Sequence, residues 1–134
     1  KRQVVEYIQA LKLKAIGFSA NNEDYQWMKK IDNMGPCEWL WLIDNADIVL
    51  TNSYHATILS LVLHTPFFTF LRFDAKSSKS QNARMEQLKS YFEIADYLVS
   101  SKIPNIPAYP FSKFAEKLPA LQQKANEYLI NNIK

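Results

Sequence analysis

The most informative pattern of hydrophobic and polar positions lies at residues 47–63, where two apolar runs are separated by three small polar residues. Residues 48–50 (IVL) are β-formers without alternation, which is typical of a strand covered on both faces. Residues 51–53 (TNS) are turn and N-cap types, and an apolar run of helical length follows them. The stretch therefore predicts a strand, a tight turn and a helix, with His55 in the first turn of that helix.

Apolar spacing in the rest of the chain predicts further alternation of helix and strand. The predicted elements are a helix over 2–12, a short strand over 14–19 (KAIGFS), a short helix beginning at Pro36, a strand over 67–71, a helix marked by Met85, Leu88, Tyr91 and Phe92, a short extended piece over 97–99, and a helix from Phe111 onward that Pro119 kinks or splits. One helix connects the strand 47–51 to the strand 67–71, and such right-handed crossovers join parallel strands. With the KAIGFS strand in the same sheet, the pattern predicts an α/β fold, a Rossmann-like parallel sheet flanked by helices.

The turn before His55 lies where ligands collect in open parallel sheets. Ligands bind outside the carboxyl ends of the strands, and a helix start there offers unpaired N–H groups that favour an anion. His64 is predicted at the other end of the same helix, where the helix dipole favours a cationic imidazole. Two roles stay open for His55: a functional group in a cleft, or a residue that caps its own helix or bonds a nearby carbonyl.

The polar stretch 72–84 (RFDAKSSKSQNAR) follows the strand 67–71 at its carboxyl end and carries four cations. Without a hydrophobic pattern, it is predicted to be a long loop. The loop is either a solvated connection or a lid whose Arg72, Lys76, Lys79 or Arg84 reaches a phosphate. Arginine is preferred over lysine for a bidentate grip on such a group.

The helix after Pro36 carries two of the three tryptophans and the single cysteine. Its apolar spacing predicts Trp39 as a core residue and Trp41 as partly exposed, either for packing or as an aromatic platform for a sugar. Cys37 is predicted as a small core residue. One cysteine excludes an internal disulfide and a multi-cysteine metal site, and it fits a reducing compartment.

Composition bounds the class of protein. With 134 residues, 48% of them hydrophobic, the chain can build one compact core. Sixteen basic and thirteen acidic residues give a net charge of +3, too small and scattered to indicate nucleic acid as a partner. No apolar run reaches the roughly 20 residues needed to cross a bilayer, so we expect a soluble, cytoplasmic protein. With two glycines there is no GxGxxG motif or P-loop, and the sequence indicates no cofactor.

The chain opens at Lys1 and goes directly into a helical pattern. Open parallel sheets usually begin with a strand, so we expect further structure upstream. Residues 1–134 are predicted to form a single Rossmann-like domain, the C-terminal domain of a longer two-domain protein.

Three segments taken together, residues 36–55 (PCEWLWLIDNADIVLTNSYH), 63–67 (LHTPF) and 82–84 (NAR), resemble the C-terminal half of the polysaccharide pyruvyl transferase family. Members of that family show a helix running into a strand, a T-[DN]-S-[FY]-H-G turn and helix, a K-P-F strand, and an N-x-R before a leucine-rich helix. The resemblance covers roughly residues 36 to 92, in matching order and spacing.

The resemblance implies a glycosyltransferase-B-like fold whose cleft lies between two Rossmann-like halves. It also implies transfer of a pyruvyl group from phosphoenolpyruvate to sugar hydroxyls, forming a cyclic ketal in exopolysaccharide biosynthesis. In this family His55 would be the catalytic acid, and the residues that hold anionic groups would be Ser53, Asn82, Arg84 and Arg72. The implied partners are phosphoenolpyruvate, a glycan acceptor, an N-terminal domain and, through a lipid-linked acceptor, the membrane surface. By this reasoning the chain alone would be inactive.

Two other functions fit the same residues. One is a glycosyltransferase-B-like domain that binds a nucleotide sugar at the same helix start. The other is a non-catalytic interaction module, in which His55 is a helix-start residue and the C-terminal apolar stripe docks a partner chain.

Overall fold

In a computed structural model, the chain is described over residues 2–17, 22–71, 78–100 and 102–133. Its helices and strands are α1 (Arg2–Ala10), β1 (Ile16–Gly17), β2 (Lys29–Lys30), α2 (Pro36–Asp44), β3 (Val49–Thr51), α3 (Tyr54–Val62), β4 (Phe67–Phe70), α4 (Ser78–Phe92), β5 (Leu98–Val99) and α5 (Phe111–Asn132), with 3₁₀ helices at Asn22–Gln26 and Ala95–Tyr97. All strand pairs among these residues are parallel. The alternation confirms the predicted α/β, Rossmann-like class.

The central sheet has the strand order β3-β4-β5. Val49 lies opposite Phe67, and Thr69 lies opposite Leu98. The predicted β-α-β unit is therefore present, with α3 as its crossover helix. A second crossover, through α4, joins β4 to β5. Because both crossovers advance in the same direction across the sheet and share one handedness, α3 and α4 lie on the same face.

The described part of the KAIGFS strand, residues 14–17, does not join this sheet. Within the described residues it is reduced to β1, which pairs with β2 in a separate two-stranded sheet, Ile16 opposite Lys29. Both residues of β2 are exposed lysines and carry no apolar signal, so the hydrophobic pattern did not reveal this pairing. The third strand of the central sheet is β5, which the sequence indicated only as a short extended piece.

Alternate residues of β4 face the two sides of the central sheet. Thr69 faces α3, where its hydroxyl is 2.8 Å from that of Thr57. Phe68 is buried on the opposite face, where its ring meets the ring of Tyr7 from α1 edge-on at 6.2 Å. The sheet is thus covered on both faces, as the unalternating apolar pattern of its strands predicted.

Two helices differ from their predicted extents. The stretch 72–84 is not all loop, because α4 begins at Ser78. Ala83 and Arg84 are exposed, and the sequence of residues 78–84 carries no apolar stripe. The last helix, α5, continues through Pro119 for 22 residues and is not split there. No helix of the described chain is both long and apolar enough to span a bilayer.

Candidate functional site

The turn between β3 and α3 is held by its own side chains. Ser53 is the N-cap of α3, with φ −96° and ψ 128°, and its Oγ accepts a hydrogen bond from the backbone N–H of Ala56 at 3.4 Å. The backbone N–H of Ser53 donates to Thr51 Oγ1 at 3.0 Å. These are the bonds that small hydroxyl residues form at a helix start, so the TNS sequence encodes the turn locally.

A buried pair of threonines fixes this turn to the sheet beneath it. Thr57 Oγ1 donates to the carbonyl of Ser53 at 2.9 Å and lies 2.8 Å from Thr69 Oγ1 in β4. Neither threonine is exposed to solvent. Because a hydroxyl has a single proton, the Thr69 hydroxyl is the donor to Thr57. The start of α3 is therefore anchored to the centre of the sheet.

The first turn of α3 leaves backbone donors open. Within the described residues, the N–H groups of Tyr54 and His55 have no hydrogen-bond acceptor. Unpaired N–H groups at a helix start carry partial positive charge and attract anions. They lie at the carboxyl end of β3, where ligands bind in open parallel sheets.

His55 is exposed in this first turn. Its ring meets the Tyr54 ring edge-on, with centroids 5.8 Å apart, and no described residue forms a hydrogen bond or ion pair with the imidazole. The capping role left open for His55 in the sequence belongs to Ser53. The imidazole is thus open to solvent beside the unpaired N–H groups.

His64 lies beyond the other end of α3, as predicted. It follows the C-cap residue Leu63, with φ 56°, and its ring stacks on that of Phe111 with centroids 5.3 Å apart. An α-helix of nine residues is about 14 Å long, so the two histidines cannot share one reacting group.

The structure describes the side chains of only some of the predicted anion-binding residues. Arg84 is exposed in α4, the helix that lies beside α3 on the same face of the sheet. Asn82 also lies in α4, but its side chain is outside the described part of the structure, and so are Arg72 and its neighbours up to residue 77. The structure therefore brings Ser53 and His55 together and places Arg84 on the adjacent helix.

A groove that the sequence did not reveal lies beside α2. Its cavity, of about 500 Å³, is lined by Ile31, Asp32, Asn33, Met34, Cys37, Glu38, Trp41 and Leu42. Cys37 is exposed, so its prediction as a core residue was wrong: it occupies the outer face of α2. Trp39 is only half-buried, whereas Trp41 is 62% exposed. The partial exposure predicted for Trp41 was the one signal for this groove in the sequence.

Comparison with known proteins decides the family. The sequence model of the family described as polysaccharide pyruvyl transferase matches residues 3–72 of the 134-residue chain, which is more than half of it. The chain belongs to the polysaccharide pyruvyl transferase family. The match includes the β3–α3 turn with Ser53 and His55. No curated protein and no solved structure matches the chain.

The polysaccharide pyruvyl transferase match covers residues 3–72, whereas the resemblance seen in the sequence covers roughly residues 36 to 92. It includes α1 and the β1–β2 sheet, and it stops at residue 72, before the N-x-R stretch of Asn82 and Arg84. Family membership makes the chain part of a transferase family whose acceptor is a glycan. The roles of the individual residues stay predictions.

Proposed function

We propose that this chain is a transferase domain that moves a pyruvyl group from phosphoenolpyruvate to two hydroxyls of a sugar, forming a cyclic ketal. The observation that carries the proposal is the open start of α3. An exposed imidazole lies there beside two unpaired backbone N–H groups, within the part of the chain that matches the family. An anion held by the N–H groups would lie within reach of His55.

The chemistry requires an acid at this position. Protonation of the methylene carbon of phosphoenolpyruvate makes its second carbon electrophilic, and an imidazolium is a suitable proton donor near neutral pH. One sugar hydroxyl then adds to that carbon and loses its proton. A second hydroxyl displaces the phosphate, which leaves as inorganic phosphate. In the proposal His55 supplies the first proton and is restored by a proton from the sugar hydroxyls.

The phosphate and carboxylate groups need fixed donors. Ser53 Oγ accepts from the N–H of Ala56, so its hydroxyl proton remains available for a ligand oxygen. Arg84 reaches from the adjacent helix in this proposal, with Asn82 and Arg72 as the further anion-holding residues. Such preorganised donors stabilise charge that develops on the leaving phosphate.

The wider setting is also part of the proposal. The donor cleft would be completed by a second, N-terminal Rossmann-like domain in a glycosyltransferase-B-like arrangement, and the chain alone would be inactive. The protein would act in the cytoplasm in exopolysaccharide biosynthesis, with peripheral membrane association when the acceptor is lipid-linked.

The test is His55→Gln in the complete protein, assayed with phosphoenolpyruvate and a glycan acceptor by release of inorganic phosphate. Glutamine keeps a polar side chain but cannot donate a proton as an acid, so the rate should fall by about 10²- to 10⁴-fold. Binding of phosphoenolpyruvate, measured by calorimetry, should change less than the rate. The matched control is His64→Gln, at the other end of α3, which should retain the wild-type rate. A wild-type rate for His55→Gln would remove His55 from the chemistry.

A further inference from the structure

The groove beside α2 is built from one face of that helix and the loop before it. Residues 31–34 form one wall, and Cys37, Glu38 and Trp41 form the other, one helical turn apart. The inner side of α2 is different: Ile43 is 5% exposed. One side of α2 therefore packs against the rest of the protein, and the other side faces solvent and lines the groove.

Trp41 is the largest side chain of the groove and is 62% exposed. Binding pockets are mostly apolar and aromatic with a few polar groups, and an indole left open in a concave surface matches that composition. The flat face of an indole suits a ligand that presents a flat apolar surface.

The polar groups of the groove limit the ligand further. Glu38 and Asp32 are carboxylates, which accept hydrogen bonds and repel anions. Asp32 is paired with Lys30 at 2.9 Å, whereas no described residue forms an ion pair or hydrogen bond with Glu38. These carboxylates favour a ligand that brings hydrogen-bond donors and disfavour a negatively charged one, which is the opposite of what the start of α3 favours.

A pyranose ring has both properties, an apolar face of C–H groups and a rim of hydroxyl donors. We infer that the α2 groove binds a neutral sugar residue of the glycan acceptor, which stacks on Trp41 and donates hydroxyl hydrogen bonds to Glu38. The inference rests on the proposed function, because that function supplies the glycan.

The connectivity places the groove near the candidate site. α2 ends at Asp44, and five residues later β3 begins at Val49. The C-terminus of α2 therefore lies near the start of β3, and α2 contacts α3. With a helix and the following strand antiparallel, as is usual in α/β units, we expect the N-terminus of α2 near the edge where β3 ends and α3 begins. In this inference the acceptor groove and the anion-favouring helix start lie along one edge, as a transfer between two substrates requires.

The experiment observes tryptophan indole N–H resonances of the isotopically labelled protein during titration with three neutral methyl glycosides. Methyl glucoside, methyl galactoside and methyl mannoside differ in the orientation of single hydroxyls. At least one should shift the Trp41 resonance, assigned from Trp41→Phe, with a millimolar dissociation constant, and should leave Trp27 and Trp39 unshifted. Glu38→Gln should weaken that binding about tenfold, because a charged acceptor becomes a neutral one.

Trp41→Ala should abolish the binding, and Trp41→Phe should retain part of it because the phenyl ring still stacks. Leu40→Ala is the matched control, since Leu40 is 38% exposed on the same helix but does not line the groove. The inference is overturned if no glycoside shifts Trp41, or if Trp41→Ala binds as tightly as the wild type. Titration with phosphoenolpyruvate in the same samples separates the two proposals: glycoside failure with intact phosphoenolpyruvate binding refutes the groove alone.

Discussion

A histidine lies at each end of α3, but the backbone groups at the two ends are hydrogen-bonded differently. At the start, the ring of His55 contacts the adjacent Tyr54, and the first two backbone N–H groups have no acceptor within the described chain. At the end, Thr65 N–H donates to Ser60 O at 2.9 Å, and His64 N–H to Leu61 O at 3.4 Å. This pair of bonds is the Schellman motif, which satisfies the last carbonyls of the helix.

The comparison shows that position, rather than residue type, separates the two imidazoles. His64 takes the left-handed conformation that glycine usually provides, and its ring lies 5.3 Å from Phe111 and 6.4 Å from Phe114. Although His64 is exposed, its ring packs against two aromatic rings of α5. His55 has no such surroundings and remains available to a ligand.

Residues 63–65 at the end of α3 begin a closed edge of the molecule, which continues at the end of α4. Glu93 there also has a left-handed conformation, with φ 57°, and its carboxylate pairs with Lys113 and Lys117 of α5, each at 2.7 Å. The hydroxyl of Tyr109 donates to the carbonyl of Phe92 at 2.6 Å. The segment that leads into α5 and its first turns thus cover the C-terminal ends of α3 and α4 together.

The largest expected effect comes from breaking the closed edge at Phe114. This side chain is 3% exposed, and its ring centroid lies 4.9 Å from that of Phe92. Phe114→Ala should lower the free energy of unfolding by about 3–5 kcal/mol, because it removes buried apolar area and leaves a cavity. Urea unfolding followed by circular dichroism measures the loss.

His55→Ala is the matched substitution at the open edge, which is the start of α3 at residues 53–55. An exposed side chain with one ring contact should change the free energy of unfolding by no more than about 0.5 kcal/mol. Equal losses for Phe114→Ala and His55→Ala would contradict the distinction between a packed edge and an open one.

A smaller effect is expected where the open edge is anchored to the sheet. Thr57→Val keeps the shape of the side chain but removes the hydroxyl that accepts from Thr69 and donates to Ser53 O. The Thr69 hydroxyl would then be buried without a partner, which should cost about 1–3 kcal/mol in urea unfolding.

The double variant Thr57→Val with Thr69→Val distinguishes this cause from a packing defect. Removing both hydroxyls leaves no buried orphan at this pair, so the double variant should be more stable than the sum of the two single changes predicts. Strictly additive losses would show that the two hydroxyls do not act as a pair.

The open edge could be predicted from sequence because its structure is local. The β-formers at 48–50, the N-cap Ser53 and the helix that follows all lie within one short segment, and the turn is held by side chains of that segment. The α/β class and the β3–α3–β4 unit followed from the same reasoning. Local propensity and tertiary structure agree here.

What the sequence missed depends on contacts between distant segments. β2 consists of two exposed lysines, β5 consists of two residues, and the sequence of residues 78–84 has no apolar stripe, so none of them has a strong periodic signal. The groove beside α2 depends on which face of that helix packs inward. Because α2 has apolar residues on both faces, its sequence does not predict which face is buried. The pairing of Glu93 with two lysines about twenty positions away has no local signature at all.

The smallest expected effect tests that pairing through pH. Hydrogen bonds from Lys113 and then Lys117 lower the pKa of Glu93 from its ordinary 4.5 to about 2. A folded-state pKa below the unfolded value stabilises the fold above pH 4.5, and the contribution disappears as the pH falls toward 2. The stability difference between wild type and Glu93→Gln should therefore narrow across that acid window in thermal unfolding. It should also shrink with added salt, because the pair is exposed.

The contribution of Glu93 to stability is best measured at acid pH, because other groups also change stability at alkaline pH. Glu93 also raises the pKa of Lys113, so the same pair loses its contribution again when the pH rises through that value. On that side, however, burial and then the charge of Glu93 raise the pKa of Tyr109 to about 12, so the fold also loses stability there as Tyr109 ionises. A difference between wild type and Glu93→Gln that persists unchanged down to pH 2 would show that the carboxylate acts through its shape in the turn rather than through its charge.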